Sequence, residues 1–362
     1  MSIRPRRSLM NSELYRPSAL NSNPRCTDKF WLDKNENLDP ILMEISHKVL
    51  RSIPPMALAT YPESGDLYRK LAKWVGVADE SLLLTPGSDG AIRLAFDSFV
   101  EYKDKVIHTV PTFAMYPIYS KMFGAKVIEI HYDTSETGPQ LNVETIIEAV
   151  QEDSPKLLCL PNPDSPTGTV LSQTELRDVL DVCELNRTVL LVDEAYHPIY
   201  EPTVVPWTSS SRNLIVARTF SKAWGNAGLR IGYAVAHPET AELLHKMRPM
   251  YETSTLAIEF MFRMLDNVKD MEQSVSRIKK AKFYFQHEIQ RMGFKVLPTA
   301  GNYLHVAFGE NGPVIHKALA DKVLYRVSFD QPCLMGYSRF SVGTKQVMKK
   351  VVEHIKQVMG NK

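Results

Sequence analysis

Three stretches of the chain repeat one pattern: Leu157-Leu158-Cys159-Leu160 runs into Pro161-Asn162-Pro163-Asp164-Ser165-Pro166-Thr167-Gly168, Val189-Leu190-Leu191-Val192 into Asp193-Glu194-Ala195-Tyr196, and Leu214-Ile215-Val216-Ala217 into Arg218-Thr219-Phe220-Ser221-Lys222. Each time a short unbroken apolar run ends in a cluster of polar, reactive side chains. Short runs without alternation suit strands buried on both faces, the habit of a parallel sheet covered by helices. Working outward, Leu82–Thr85 and the runs at 106–110 and 126–130 have the same character, and helix-length amphipathic stretches separate several of them. The pattern predicts an α/β fold, a mostly parallel central sheet with helices on both faces. From 238 to 292 the chain reads as long helices. Short strands at 294–297, 303–307 and 323–327 and a last helix from Thr344 then predict a smaller α+β lobe. The expected division is an N-terminal arm and part of the small domain in residues 1–50, a large domain in 51–250 and a C-terminal small domain in 251–362. Pro5, Pro17 and Pro24 suit an extended arm over the first 30 residues.

Composition narrows the function classes. Of 362 residues, 43 are Lys or Arg and 41 Asp or Glu, a formal net charge of +2. Such a balance gives no bulk field for nucleic acid or an anionic membrane. A mean hydropathy of -0.20 and the lack of an apolar run of about 20 residues speak against a membrane bundle. Arg4-Pro5-Arg6-Arg7 is followed by polar, proline-broken sequence, so no signal peptide is expected. Cys26, Cys159, Cys183 and Cys333 lie far apart, which argues against a zinc site or a disulfide scaffold. They read as reduced thiols of a cytoplasmic protein.

In an open parallel sheet, ligands bind outside the carboxyl ends of the strands, so the residues after each run carry the chemistry. Gly87-Ser88-Asp89-Gly90 opens a helix after Leu82–Thr85 and can cradle a phosphate on free backbone N–H groups; the alternative is that Ser88 or Asp89 is an ordinary N-cap. Ser221 and Arg230 supply a second hydroxyl and a forked cation for the same anion. Lys222, desolvated at the mouth of a sheet, can act as a free amine toward a carbonyl, although most lysines are solvated surface groups. Asp193 can pair with a protonated ring nitrogen and Tyr196 can donate to a phenolic oxygen. A phosphate cradle, a Schiff-base lysine, a carboxylate for a ring nitrogen and a phenol together describe a site for pyridoxal 5'-phosphate.

With these residues in view, the chain resembles the fold type I pyridoxal-phosphate-dependent class I/II aminotransferase superfamily, and within it the histidinol-phosphate aminotransferase group. The resemblance runs from about Trp31 to the end and rests on Leu32-Asp33-Lys34-Asn35-Glu36-Asn37, Tyr61-Pro62-Glu63, Gly87-Ser88-Asp89-Gly90, Pro111-Thr112-Phe113, Pro166-Thr167-Gly168, Asp193 to Tyr196, Thr219 to Lys222, Gly228-Leu229-Arg230 and Arg339 before Val342-Gly343. It implies that Lys222 carries the cofactor as a Schiff base, with Asp193 on the pyridine nitrogen and Tyr196 on its phenolic oxygen. Ser88, Asp89, Ser221 and Arg230 are implied at the phosphate, and Phe113 stacked on the ring. Tyr61 matches a tyrosine that reaches the partner subunit's cofactor, so a homodimer with shared active sites is implied. Ser165 stands where the family usually has an asparagine donating to the phenolic oxygen, which throws more weight onto Tyr196. Asn37 stands where the group often has Tyr-Pro or Asn-Pro and is expected at the substrate, without the tyrosine's contact to a substrate phosphate. Arg326 and Arg339, which exposure statistics alone read as surface charges on a small-lobe sheet, match arginines that hold anionic ends of substrates.

The implied activity moves an amino group between an amino acid and a keto or phosphorylated carbonyl substrate. The similar threonine-phosphate decarboxylases share nearly every motif, so a lyase acting on a phosphorylated amino acid is the alternative. A regulator that keeps the fold without the chemistry is a third reading, against which the complete lysine, aspartate, tyrosine and arginine set stands. No metal, nucleic acid or membrane partner is expected.

Overall fold

A computed structural model describes residues 4–10, 14 and 25–360. Its strands are β1 (Phe30–Leu32), β2 (Leu82–Thr85), β3 (Lys105–Val110), β4 (Lys126–His131), β5 (Asp133–Ser135), β6 (Gly138–Gln140), β7 (Leu157–Pro161), β8 (Val189–Asp193), β9 (Leu214–Thr219), β10 (Gly232–Ala236), β11 (Lys295–Leu297), β12 (Tyr303–Ala307), β13 (Val323–Tyr325) and β14 (Tyr337–Ser341). The helices are α1 (Pro40–Arg51), α2 (Gly65–Val75), α3 (Gly87–Phe99), α4 (Met115–Phe123), α5 (Val143–Asp153), α6 (Gln173–Leu185), α7 (Pro238–Met247), α8 (Thr255–Met264), α9 (Val268–Arg291), α10 (Gly312–Leu319) and α11 (Lys345–Gly360).

Seven strands form one sheet in the order β2-β10-β9-β8-β7-β3-β4. The pairs from β9 through β4 are parallel, and β10 is antiparallel to both of its neighbours. Because strand side chains alternate faces, each apolar run serves two cores. Leu82, Leu84, Leu158, Leu160, Leu190, Val192, Leu214 and Val216 face the core filled by α2, α5, α6 and α8. Leu83, Leu157, Cys159, Val189, Leu191, Ile215 and Ala217 face the one filled by α3, α4 and α7. This double burial is why the runs lack alternation. Local signals set the helix ends: Ser172 and Glu175 form a reciprocal capping box at the start of α6, and Gly76 closes α2 at φ 83°, a value that favours glycine.

The strand β10 is absent from the sequence reading. It needs Gly232 at its first position, since a Cβ there would stand 2.5 Å from the Arg218 carbonyl oxygen and 2.6 Å from the Gly87 carbonyl carbon. The second lobe holds the antiparallel sheet β11-β12-β14 and the parallel pair β1-β13, packed with α9, α10 and α11 around a separate core. The two cores divide later in the chain than residue 250. α8 packs on the large core, and α9 serves both, with Met271 and Val275 on the first and Ile278, Ala281, Phe285 and Ile289 on the second. α1 likewise lays Leu42 and Val49 on the large core, while Leu32 of β1 belongs to the small one.

Beneath the sheet's carboxyl edge, Arg218 of β9 and Glu194 are both buried and bonded through Nε and Nη2 to Oε2 at 2.9 and 2.8 Å. Removing one partner strands the other charge, whereas replacing both with apolar groups does not. Glu194→Ala is therefore expected to lower unfolding free energy in urea by about 3–5 kcal/mol, and Glu194→Leu with Arg218→Met to recover most of that loss. A double variant as unstable as the single one would contradict this account.

Candidate active site

A cavity of about 850 Å³ opens at the carboxyl ends of β3, β7, β8 and β9 and is roofed by Asp33 to Glu36, Arg326, Phe329 and Arg339. Lys222 follows the end of β9 and points into it, its Nζ donating to the Lys34 carbonyl at 2.9 Å. Burial, aided by the charge of Arg339, lowers its pKa to about 8. Asp193 ends β8 and is buried. Its Oδ2 accepts from the Tyr116 hydroxyl at 3.2 Å and its Oδ1 from the Ala195 N–H at 3.0 Å, and neither bond brings a cation. Burial, with the charges of Asp89 and Glu194, pushes its pKa up to about 7. Tyr196 is buried with its ring centroid 6.0 Å from Lys222 Nζ; its hydroxyl accepts from Asn35 Nδ2 at 2.8 Å.

On the opposite wall the helix α3 starts at Gly87 with Pro86 at its N-cap and no side-chain capping bond. Ser88 and Asp89 therefore do not cap it, and its first N–H groups remain available at the positive end of the helix dipole. Asp89 Oδ1 accepts instead from the Tyr119 hydroxyl at 3.0 Å. Arg230 sits at φ 53°, its guanidinium donating to the Ala227 and Pro86 carbonyls at 3.3 and 3.5 Å. Gly87 makes room for it, because a Cβ there would lie 3.1 Å from Arg230 Nη2. Ser221 lines the same end, accepting from Thr219 Oγ1 at 2.9 Å. Phe113 lines the cavity edge-on to Tyr116, centroids 5.9 Å apart.

Arg326 and Arg339 face each other across an antiparallel bridge, with backbone N–H to carbonyl bonds of 3.1 and 2.8 Å. Their guanidiniums lie 4.6 Å from the Phe329 centroid and 5.4 Å from that of Tyr303. Their side-chain bonds go to carbonyls, Arg326 Nε to Ser328 at 3.3 Å and Arg339 Nη2 to Asp33 at 2.9 Å, and Arg339 Nε is buried without a partner. Among the described residues neither guanidinium is bonded to a carboxylate, and two adjacent cations of this kind suit an anion.

Ser165 also lines the cavity. Two expected residues do not. Asn37 is buried behind the loop, its Nδ2 bound to the Ala223 carbonyl at 2.9 Å and Ser274 Oγ at 3.1 Å and its Oδ1 accepting from the Asp39 N–H at 3.1 Å. With its amide saturated, it braces α9 and the 222–226 turn. Tyr61 is 74% exposed and stacked on Tyr251 at 4.5 Å, outside this chain's own cavity. Sequence reasoning missed Asp33, Lys34 and Asn35. Three consecutive residues hand a carbonyl to Arg339, a carbonyl to Lys222 and an amide to Tyr196. The motif at 32–37 marked the loop, but main-chain carbonyls carry no side-chain signal.

The residues fit pyridoxal phosphate. Asp193 is a buried carboxylate that suits a cation such as a protonated ring nitrogen, the start of α3 with Ser221 and Arg230 suits a phosphate, and Lys222 is a desolvated amine in the same cavity.

Residues 27–355 match the family of class I and II aminotransferases. The histidinol-phosphate aminotransferase of Caldanaerobacter subterraneus subsp. tengcongensis is 31% identical over 335 residues, covering 91% of this chain and 93% of that protein. Among solved structures, the histidinol-phosphate aminotransferase of Sinorhizobium meliloti in complex with pyridoxal-5'-phosphate is similar in fold, with a TM-score of 0.79 at 21% identity over 92% of this chain and 91% of that one. The L-threonine-O-3-phosphate decarboxylase of Porphyromonas gingivalis gives 0.76 at 21% identity over 91% and 99%. Geometry and sequence agree, and the chain belongs to the class I and II aminotransferases.

Proposed function

We propose that this chain is a pyridoxal-phosphate-dependent aminotransferase that moves an amino group between an amino acid and a keto or phosphorylated carbonyl substrate, in the manner of histidinol-phosphate aminotransferases. The observation that carries the reading is one cavity in which a desolvated lysine amine stands between a buried carboxylate, an anion cradle and a pair of arginines. When bound, pyridoxal phosphate supplies an electron sink for charge developing at the substrate Cα. The protein does the rest. Asp193 would keep a proton on the ring nitrogen, and Tyr196 would donate to the neighbouring oxygen. Arg230, Ser221 and the first amides of α3 would hold the phosphate, and Phe113 would shield the ring from water. Lys222 Nζ, held by the Lys34 carbonyl, takes and returns the Cα proton; its lowered pKa gives a substantial free-amine fraction at mildly alkaline pH. Arg339 receives the carboxylate common to amino acids, and Arg326 a second anion.

A homodimer is supported by an exposed apolar surface around Tyr61. Met56, Leu58 and Met250 are 70, 78 and 76% exposed, and the 55–61 and 250–255 segments are tied by the Tyr61 stack and a 2.6 Å bond from Thr255 Oγ1 to the Thr60 carbonyl. Clustered exposed apolar groups mark association surfaces. Four unpaired thiols, three of them buried, suit a reducing cytoplasm.

Incubation of the cofactor-loaded protein with glutamate is expected to convert the cofactor to its aminated form, seen as loss of the visible absorption band. Release of CO2 from a phosphorylated amino acid without that conversion would establish the decarboxylase instead. Lys222→Ala is expected to lower turnover by more than about a thousandfold while leaving the circular dichroism unchanged; activity within tenfold of the parent refutes the assignment. Loss of a buried arginine contact costs about 2–5 kcal/mol, so Arg339→Ala should raise KM for every amino acid tried. Arg326→Ala should act harder on a phosphorylated substrate than on a small unphosphorylated one, and equal losses would remove the phosphate preference. Sedimentation is expected to give a dimer at micromolar concentration; a fully active monomer would exclude shared sites.

A further inference from the structure

Asn35 lies where the two lobes meet. Its backbone is left-handed at φ 54°, a region asparagine enters more readily than most residues. Two small-lobe side chains fix it. Its N–H donates to Ser341 Oγ at 2.8 Å, Ser341 Oγ donates back to Asn35 Oδ1 at 2.9 Å, and Asn302 Nδ2 donates to its carbonyl at 3.1 Å. The remaining amide group, Nδ2, meets the hydroxyl of Tyr196 across the lobe boundary at 2.8 Å. Asn35, Ser341, Asn302 and Tyr196 are all buried, so water does not compete for these bonds.

The orientation of the amide decides where the phenolic proton goes. With Oδ1 toward Ser341, the serine proton has an acceptor, and Nδ2 occupies a lone pair of the Tyr196 oxygen. The tyrosine must then send its own proton elsewhere. With the amide turned over, Ser341 Oγ would face two N–H donors and its own buried proton would lose its acceptor, at a cost of about 1–3 kcal/mol. The first arrangement is the satisfied one. We propose that Asn35 is a positioning residue that aims the Tyr196 proton into the cavity, toward the phenolic oxygen of pyridoxal phosphate, so that a small-lobe residue tunes the cofactor's acidity. This rests on the cofactor site proposed above. It also answers the shortened donor at Ser165, since the amide missing from that turn is supplied one step back, through the tyrosine.

The groups that bear on Tyr196 are Arg339 from β14, Asp193 from β8, the Ser165 hydroxyl and Asn35, with Tyr303 of β12 at 5.6 Å between centroids and Lys222 Nζ beneath the ring. The test reads the pH midpoint at which the bound cofactor's visible absorption changes, in the holoenzyme. Asn35→Gly removes the amide but keeps the left-handed backbone accessible. It is expected to raise the midpoint by about half to one unit in the parent, and by less than about 0.2 in a Tyr196→Phe background, because the amide acts through the phenol. Ser341→Ala, which leaves the loop sequence intact, should shift it in the same direction by less. A fall in midpoint would mean that the proton points to Asn35 in the parent, and an equal shift in both backgrounds would mean general loosening; either overturns the proposal, as does no shift. A protein that takes up no pyridoxal phosphate and shows no visible band would overturn the cofactor reading along with it.

Discussion

The polar backbone of the turn that follows β7 has to be satisfied from the second lobe, and the architecture around the cavity depends on that requirement. The turn after β7 is buried, and buried carbonyls need partners. The Tyr303 hydroxyl donates to the Asp164 carbonyl at 2.6 Å, His305 Nε2 lies 2.7 Å from the Pro166 carbonyl, and the Ala300 N–H donates to the Gly168 carbonyl at 2.8 Å. Burial drives the imidazole of His305 down to about 3; it is neutral and serves as a neutral N–H donor. Gly168 permits the approach, since a Cβ there would stand 2.5 Å from Thr299 Cβ. Lys282 in turn holds the carbonyls of Thr299 and Gly301 at 2.6 and 2.7 Å. Strand β12 is thereby locked against the turn that carries Ser165, and its neighbour β14 brings Arg339 over the cavity.

The loop 33–36 makes the matching connection from the other end of the chain. Arg25 clamps its acidic side chains, Nη2 to Asp33 Oδ1 and Nη1 to Glu36 Oε2, both at 2.6 Å, and lies 4.8 Å from the Trp31 ring centroid. The loop's carbonyls and amide are then free to serve Arg339, Lys222 and Tyr196. A segment far from the sheet in sequence thus completes the site built at the sheet's edge.

Two titratable groups of the cavity are shifted in opposite directions. Lys222 and Asp193 are shifted toward neutrality from opposite sides, to about 8 and about 7, because each is desolvated without a bonded counterion. Arg230, Arg326 and Arg339 line the remaining walls together with Asp33, Glu36, Asp89 and Glu129. Desolvation lowers a lysine's pKa and raises an aspartate's, and an anion at one end with a cation at the other would relieve both. A guest carrying both an anionic and a cationic group would suit such a site.

The sequence by itself determined the sheet and the reactive residues that end its strands. Runs such as Val189 to Val192 are unbroken because both faces are buried, and the polar cluster after each follows from where a parallel sheet ends. It also marked Lys222, Asp193, Tyr196 and Arg230 through residue type and spacing. What it left open was decided by contacts distant along the chain. The strand β10 was illegible because its antiparallel place depends on close approach at Gly232 by Arg218 and Gly87. The core boundary inside α9 was illegible because one amphipathic stripe covers two cores without a break. Asn35 and Asn37 look alike in sequence, two residues apart in one polar run, yet one reaches Tyr196 while the other turns back to Ala223 and Ser274. Only the tertiary structure assigned them, because a hydrogen bond across 161 residues of chain is fixed by the docking of two lobes and leaves no local pattern.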